Sequence, residues 1–294
     1  MSAAPPDHHL PGLFVGLTTV DLSYRVPRVP GANQKLQASR QSLAAGGPAA
    51  NAAVAFAREG GAARLVTALG SHPLALAAVA DLSQAGVRVH DCLPGRTEPP
   101  GISSIMVNGA GDRAVVSAGA AGMTPDSPAE MDAWVAASRV VLVDGHHVDL
   151  ALDAVTSARR HRVPVVLDGG SWKPVTPELL PLADVAVVSA DFVPPDLRPG
   201  QDLLSYLLVH GARFAAVTDG PNPVRWSGGD SSGSLSVPAV EVADTTAAGD
   251  VLHGVLAWYV ARSGTSTAAL VSALERSIAA ASGFVSAFGT RSWP

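Results

Sequence analysis

Short apolar runs recur along the chain, separated by segments whose apolar positions follow helical spacing, and this alternation sets the expected elements. Residues 13–20 form a first apolar run, a strand, followed at once by Asp21. The pattern then breaks: residues 24–43 carry prolines, polar residues and only small apolar patches, as in loops and short strands leaving a main sheet. Gly46-Gly47-Pro48 leads into a helix over 49–58, with Pro48 suited to the first turn. A strand over 65–69 and a helix over Pro73–Gln84 follow. Ile102–Val107 and Arg113–Ser117 flank Asn108-Gly109-Ala110-Gly111, which is a hairpin signal.

Beyond residue 130 the rhythm is regular. Strands are expected at Val140–Val143, 163–167, 185–188 and 214–217, with helices over 150–160 and 203–210 between them. Short strand, helix, short strand is the pattern of right-handed βαβ units around a parallel sheet. Residues 223–237 read as an antiparallel hairpin, and two helices, 248–262 and 267–288, close the chain. The expected fold is α/β, a doubly wound and mostly parallel sheet flanked by helices. One domain spans 12–294, with a small β-rich lid built from about 22–45 and 88–120. Residues 1–11, rich in proline and alanine, read as a disordered terminus without the order of a signal peptide.

Composition narrows the function classes. The 294 residues are 47% apolar and 15% charged, enough for a sizeable core. A net charge of −5 leaves no basic footprint for nucleic acid. No apolar run reaches the roughly 18 residues of a membrane span. The lone Cys92, unable to form an internal disulfide, fits a reducing cytoplasm and a small buried side chain.

In a doubly wound sheet, ligands gather outside the carboxyl ends of the strands. Asp21, Asp144, Asp168 and Asp219 each fall at or just past an expected strand end, where an aspartate caps a turn as readily as it meets a ligand. More informative is Asp244-Thr245-Thr246-Ala247-Ala248-Gly249-Asp250, a run of small residues closed by an acid at the start of a helix. Small residues admit a ligand close to the backbone, and the unpaired N–H groups of a first helical turn favour a phosphate. An acid beside a phosphate is either a favourable first-turn residue or a general base for an attacking hydroxyl.

This run, continued by His253-Gly254, resembles the second signature of the ribokinase-like (PfkB) carbohydrate kinases, and Gly46-Gly47-Pro48-Ala49-Ala50-Asn51-Ala52-Ala53 resembles the first. The resemblance extends from Phe14 to Arg291. It implies transfer of the ATP γ-phosphate to a hydroxyl, primary in most of the family, of a sugar or sugar-like molecule, with Mg²⁺ and, in many members, stimulation by K⁺. By the resemblance, Asp250 matches the catalytic base, and the backbone of Ala247, Ala248, Gly249 and Asp250 matches the anion hole. Asp21, Gly46, Gly47 and Asn51 match the sugar-binding positions, and Arg113 matches a substrate contact of the lid. Thr218 and Gly220 match the start of the nucleotide site, with Lys173 a basic residue that reaches the phosphates. Asp244 and Thr246, with Gly289 and Ser292 from the tail, match the potassium loops. Lid-to-lid homodimers also occur in the family.

Three departures stand out. Ala247 replaces the usual glycine at the head of the anion hole. Pro48 replaces an asparagine that binds sugar in several relatives. The family's Asn-x-x-Glu falls at Ser189-Ala190-Asp191-Phe192, leaving Asp191, one position early, as the candidate for an outer-sphere Mg²⁺ carboxylate. His146 and His147 adjoin a carboxylate but lack metal-ligand spacing. Neither a Walker A pattern nor a dinucleotide fingerprint is present. The competing readings are a nucleoside kinase of the same fold, which needs an aromatic clamp such as Tyr24, and a sugar-binding regulator, which has no need of Asp250.

Overall fold

The structure, a computed structural model, describes residues 10–293. In chain order the elements are β1 (Leu10–Val15), β2 (Thr19–Arg25), β3 (Arg40–Gly46), α1 (Pro48–Arg58), β4 (Gly61–Thr67), α2 (Pro73–Gln84), β5 (Arg88–Asp91), β6 (Ile102–Val107) and β7 (Arg113–Ser117). There follow α3 (Met131–Ala136), β8 (Val140–Val143), α4 (Val148–His161), β9 (Val165–Gly169), α5 (Thr176–Leu179), a single 3₁₀ turn (Leu180–Leu182) and β10 (Val185–Ser189). The chain ends with α6 (Leu203–Val209), β11 (Phe214–Asp219), β12 (Asn222–Gly228), β13 (Ser231–Leu235), α7 (Ala248–Ser263) and α8 (Thr267–Phe284).

Nine strands form one sheet in the order β13-β12-β11-β10-β9-β8-β1-β4-β5. From β11 to β5 every pairing is parallel, and β12 and β13 add an antiparallel edge. Period-two alternation sends Phe14, Leu65, Leu142, Val166 and Val187 to one face, under α1, α2, α7 and α8. Leu13, Val66, Val141, Leu167 and Val188 face the other side, under α3, α4 and α6. Coverage of both faces is why β8, Val-Val-Leu-Val, is buried throughout and shows no polar alternation.

A second sheet, in the order β3-β2-β6-β7, stands apart from the first. Its outer pairs are antiparallel and its central pair, β2 with β6, is parallel. Register separates its faces. Asp21 lies beside Ala44 and Ser103, and Ser103 beside Ser117, on one face, whereas Leu22 lies beside Leu43 and Ser104, and Ser104 beside Val116, on the other.

Four expectations need correction. The run 13–20 is two strands: the chain leaves the main sheet after Val15, where the Leu17 N–H donates to Asp144 Oδ2 at 2.8 Å. Asp21 therefore lies inside β2 and not past the end of β1. Residues 88–91, assigned to the lid from their polarity, form β5, whose Val89 pairs with Leu65 in the main sheet. Leu10 and Pro11 already belong to β1, paired with Gly61 and Ala62; residues 1–9 of the expected disordered terminus lie outside the described residues. The last helix ends at Phe284, four residues before Phe288, which packs on Ile105 and Val107 of β6.

Candidate active site

The segment before α7 turns sharply at Ala247, whose φ of 64° and ψ of 11° are left-handed. An alanine adopts that conformation at a cost of roughly 1 kcal/mol, which explains the glycine usual in the resembling signature. The turn opens a helix start that is partly unclaimed. The Ala248 N–H points to Thr245 O at 3.3 Å and the Val251 N–H donates to Ala247 O at 2.9 Å, while those of Gly249 and Asp250 take no backbone acceptor among the described residues. Such donors at a helix N-terminus make an anion site.

Asp250 stands on this first turn. Its Oδ2 accepts from Asn51 Nδ2 at 2.8 Å, and Asn51, on α1, is 4% exposed. By area the Asp250 side chain is half-buried, but protein groups enclose it, and burial is the main reason its carboxyl is pushed up to about 7. The negative charge of Asp168 pushes in the same direction; the Asn51 hydrogen bond and the nearby His253 oppose it, and Asp21 adds a further upward push.

Asp21 and Gly46 are placed together by necessity. A side chain on Gly46 would fall on the Asp21 carboxylate, so only glycine lets β3 pass there. Gly47, at φ 95°, caps α1, and a Cβ on it would strike Leu17 O. Asp21 is buried, and its Oδ1 accepts from Thr19 Oγ1 at 2.7 Å. Burial raises its pKa, against the hydroxyls of Thr19 and Ser103 and the charge of Arg291. Asp21, Gly46, Gly47, Asn51 and Asp250 are thus linked into one neighbourhood.

The remaining predicted positions divide. Arg113 donates through Nη1 to Thr245 O at 2.5 Å and to Thr245 Oγ1 at 3.1 Å, so the β6–β7 hairpin rests on the segment that leads into the turn at Ala247. Arg25 of β2 makes a parallel contact, Nη1 to Ala243 O at 2.7 Å. Thr218 lies at the end of β11 and Gly220 just past it, on the carboxyl edge of the main sheet, where Thr218 Oγ1 reaches Val188 O at 3.4 Å. Lys173, in the loop after β9, turns back to Ser171 O at 3.2 Å. Asp191 is exposed, and its carboxylate has no hydrogen-bond or ion-pair partner among the described residues; Phe192, at the glutamate position, is core and packs edge-on against Trp172.

The four residues matched to the potassium loops come together. Asp244 Oδ1 accepts from Thr246 N–H at 2.9 Å and Oδ2 from Gly289 N–H at 3.0 Å, while Ser292 N–H donates to Gly289 O at 3.1 Å. Thr246 Oγ1 is buried without a partner, as an oxygen kept for a cation would be. One acid and one unpartnered hydroxyl suit a weakly held monovalent ion better than a divalent one. His146 and His147 both have pKa values lowered chiefly by burial, and both His147 ring nitrogens are buried without partners.

Two groups received no role from the sequence. His253, 4% exposed, faces Val187 O through Nε2 at 3.0 Å, and its Nδ1 lies 2.7 Å from Gly249 O and 3.3 Å from Asp168 Oδ2. It ties the first turn of α7 to β9 and β10. Its signal was available, since it is a polar residue within the apolar stretch that follows Asp250. Arg291, on the tail, contacts Asp81, Ala45 and Asn51; nothing local in the sequence announces that contact.

Comparison with known proteins bears on this geometry. The pfkB family of carbohydrate kinases matches residues 13–294. A bifunctional ribokinase/ribose-5-phosphate isomerase A of Fructilactobacillus sanfranciscensis is 27% identical over 83% of this chain, which spans only 47% of that protein. The ribokinase of Staphylococcus aureus is 26% identical over 82% of this chain and 83% of its own length. In fold, the ribokinase of Arabidopsis thaliana, solved with ribose and ATP, superposes with a TM-score of 0.78 at 23% identity, covering 97% of this chain and 95% of that one.

Proposed function

Because the chain belongs to the pfkB family of carbohydrate kinases, we propose that it phosphorylates a hydroxyl, primary by preference, of a sugar or sugar-like small molecule with ATP. One observation carries this reading: a carboxyl pushed up to about 7, Asp250, stands on a helix start with unclaimed N–H donors and accepts from the buried Asn51. Asp250 takes the proton of the acceptor hydroxyl. The freed oxygen forms a bond to the γ-phosphorus as the bond to the β-bridging oxygen breaks, and ADP leaves with that electron pair. The backbone N–H groups of Ala247, Ala248, Gly249 and Asp250 receive the charge that builds on the phosphoryl oxygens. Thr218, Gly220 and Lys173 serve the nucleotide. Asp21, with Gly46, Gly47 and Asn51, holds the acceptor, and Arg113 closes the lid over it.

The face of the small sheet that carries Asp21 also carries Ser23, Ser42, Ser103 and Ser117, a hydroxyl-rich surface suited to a polyol. Tyr24 lies on the opposite face, in a groove with Pro30, Leu36 and Met106. It is no clamp for a nucleobase, which favours a sugar over a nucleoside. Incubation with ATP and a panel of sugars, sugar acids, sugar sulfonates and nucleosides, followed by mass detection of a phosphorylated product, tests the proposal. Absence of any product across the panel, with the protein folded, would leave a binding role instead.

Mg²⁺ bound with ATP would supply charge neutralisation on the phosphates, and Asp191, whose carboxylate has no partner among the described residues, would meet its water shell, with Asp168 the fallback. Asp191→Ala is expected to raise the Mg²⁺ needed for half-maximal rate several-fold, with activity recovered at saturating metal. An unchanged titration assigns Asp191 to solvent. K⁺ would be held by Asp244, Thr246, Gly289 and Ser292.

A homodimer through the lid completes the proposal. Leu43 and Val116, 55% and 72% exposed, lie with Leu22 on the outer face of the small sheet, and such a face calls for burial. Light scattering at micromolar concentration is expected to report a dimer and, for Val116→Asp, a monomer; a strict monomer in the unaltered protein removes the idea. No helix among the described residues is long and apolar enough to cross a membrane, and a single cysteine, which can form no internal disulfide, suits a reducing cytoplasm.

A further inference from the structure

Arg291 reaches the site from the far end of the chain, and all three of its side-chain nitrogens are engaged. Nε donates to Asp81 Oδ2 at 3.0 Å, and Nη2 lies 2.9 Å from the same oxygen. Nη2 also donates to Ala45 O at 2.8 Å. Nη1 donates to Asn51 Oδ1 at 3.2 Å and to Thr290 O at 3.1 Å. The Asn51 amide then donates through Nδ2 to Asp250 Oδ2 at 2.8 Å.

A side-chain amide offers an acceptor at one end and donors at the other, and turning it over exchanges them. Here the two ends face opposite demands. A guanidinium has donors only, and an ionised carboxylate has acceptors only. The reversed amide would set N–H against guanidinium and carbonyl oxygen against carboxylate, so the turned form loses both bonds and gains two repulsions. Without Arg291 that choice weakens, because only the Asp250 contact would remain to make it.

We propose that Arg291 is a positioning residue for the base: by donating to Asn51 Oδ1 it commits the Asn51 amide to Asp250 Oδ2, which holds the carboxylate still and leaves Oδ1 to face the acceptor hydroxyl. The inference rests on the kinase reading for the identity of the base, but its geometry does not. It also gives Asn51 a role beyond sugar binding, since its amide already serves Asp250. The same guanidinium joins the tail to α2 through Asp81 and to the end of β3 through Ala45, so the base, the base of the lid and the tail share one fork. A lysine donates from one nitrogen and lacks the planar fork that meets Asp81, Ala45 and Asn51 from three separate nitrogens.

The test reads the Asp250 carboxyl directly, by carbon NMR titration of the full chain without substrate at fixed potassium, with the signal assigned by its loss in Asp250→Asn. The groups around that carboxyl are Asp168 on β9, Asp21 on β2, His253 on α7 and Asn51 on α1, and all remain in the variants compared, apart from Asn51 in its own background. The Asn51 bond favours the ionised carboxylate, so its weakening raises the midpoint. Arg291→Gln is expected to raise it by about half a pH unit or more, and Arg291→Lys by less. In an Asn51→Ala background, Arg291→Gln is expected to add nothing. A midpoint unchanged by Arg291→Gln overturns the proposal and leaves Arg291 a tail anchor. A shift of equal size in the Asn51→Ala background overturns it too, since the charge would then act without the amide. Should Arg291→Gln fail to fold, Arg291→Lys with and without Asn51→Ala carries the same comparison. Because no acceptor is needed, failure here is distinct from failure of the kinase reading, which appears as absent phosphorylation by the unaltered protein.

Discussion

Asp250→Asn is expected to cut turnover by at least about a hundredfold, the usual effect of losing a general base, equivalent to about 2.7 kcal/mol of barrier. ATP and acceptor should still bind, because the amide keeps the shape and the helix-start N–H groups remain. In the unaltered protein, kcat/KM is expected to rise with pH through about 7 and then level, since only the ionised carboxylate accepts a proton. A variant with near-normal turnover, or a rate indifferent to pH between 6 and 8 (roughly a unit either side of that value), would remove Asp250 from the chemistry. Stability is expected to move the other way. The folded-state pKa of Asp250 lies above its ordinary value of 3.8, so the fold favours the protonated form. That contribution is complete below pH of about 4 and is lost as pH rises through about 7. Asparagine never ionises, and Asp250→Asn should melt at a higher temperature than the unaltered protein above neutral pH, with the gap closing as pH falls. Thermal unfolding at several pH values measures this.

Asp21→Ala is expected to raise the KM of the acceptor by about thirtyfold, the scale of one lost hydrogen bond to a charged group, about 2 kcal/mol. The ATP KM should stay within about twofold, on the same scale, because the residues assigned to the nucleotide lie on β11 and the loop after β9 and not on β2. Steady-state kinetics with each substrate varied against saturating levels of the other decides it. The reverse pattern would mean that the acceptor and nucleotide sites had been exchanged. Asn51→Ala should differ from Asp21→Ala in lowering kcat as well, through its bond to Asp250.

Much of the main sheet was legible because its strands are continuous apolar runs and its helices carry a clear stripe. The helix Pro73–Gln84 and the strands Ile102–Val107, Arg113–Ser117 and Val140–Val143 have the bounds read from the pattern. The run 13–20 misled because a buried strand and the start of a lid strand are equally apolar; what parts them is Asp144, far along the chain, which takes the Leu17 N–H. Polarity concealed β5, a sheet strand whose four residues are none of them fully buried. Arg113 matches a substrate contact by resemblance to the family, and packing adds that its Nη1 donates to Thr245.

By itself the sequence determined the α/β class, the Gly46-Gly47-Pro48 segment, the run of small residues before the last pair of helices and the acid that closes it, because periodicity, turn chemistry and helix-start chemistry are local properties. Only the tertiary structure decided what surrounds that acid. Asn51 is 199 residues away from it, and Arg291 is 240 residues from Asn51. Asp168, which also bears on it, comes from β9, whereas His253, three residues on in α7, is a local neighbour. A carboxyl's affinity for its proton depends on burial and on neighbouring charge, and both are set by how distant segments pack, which no local pattern encodes.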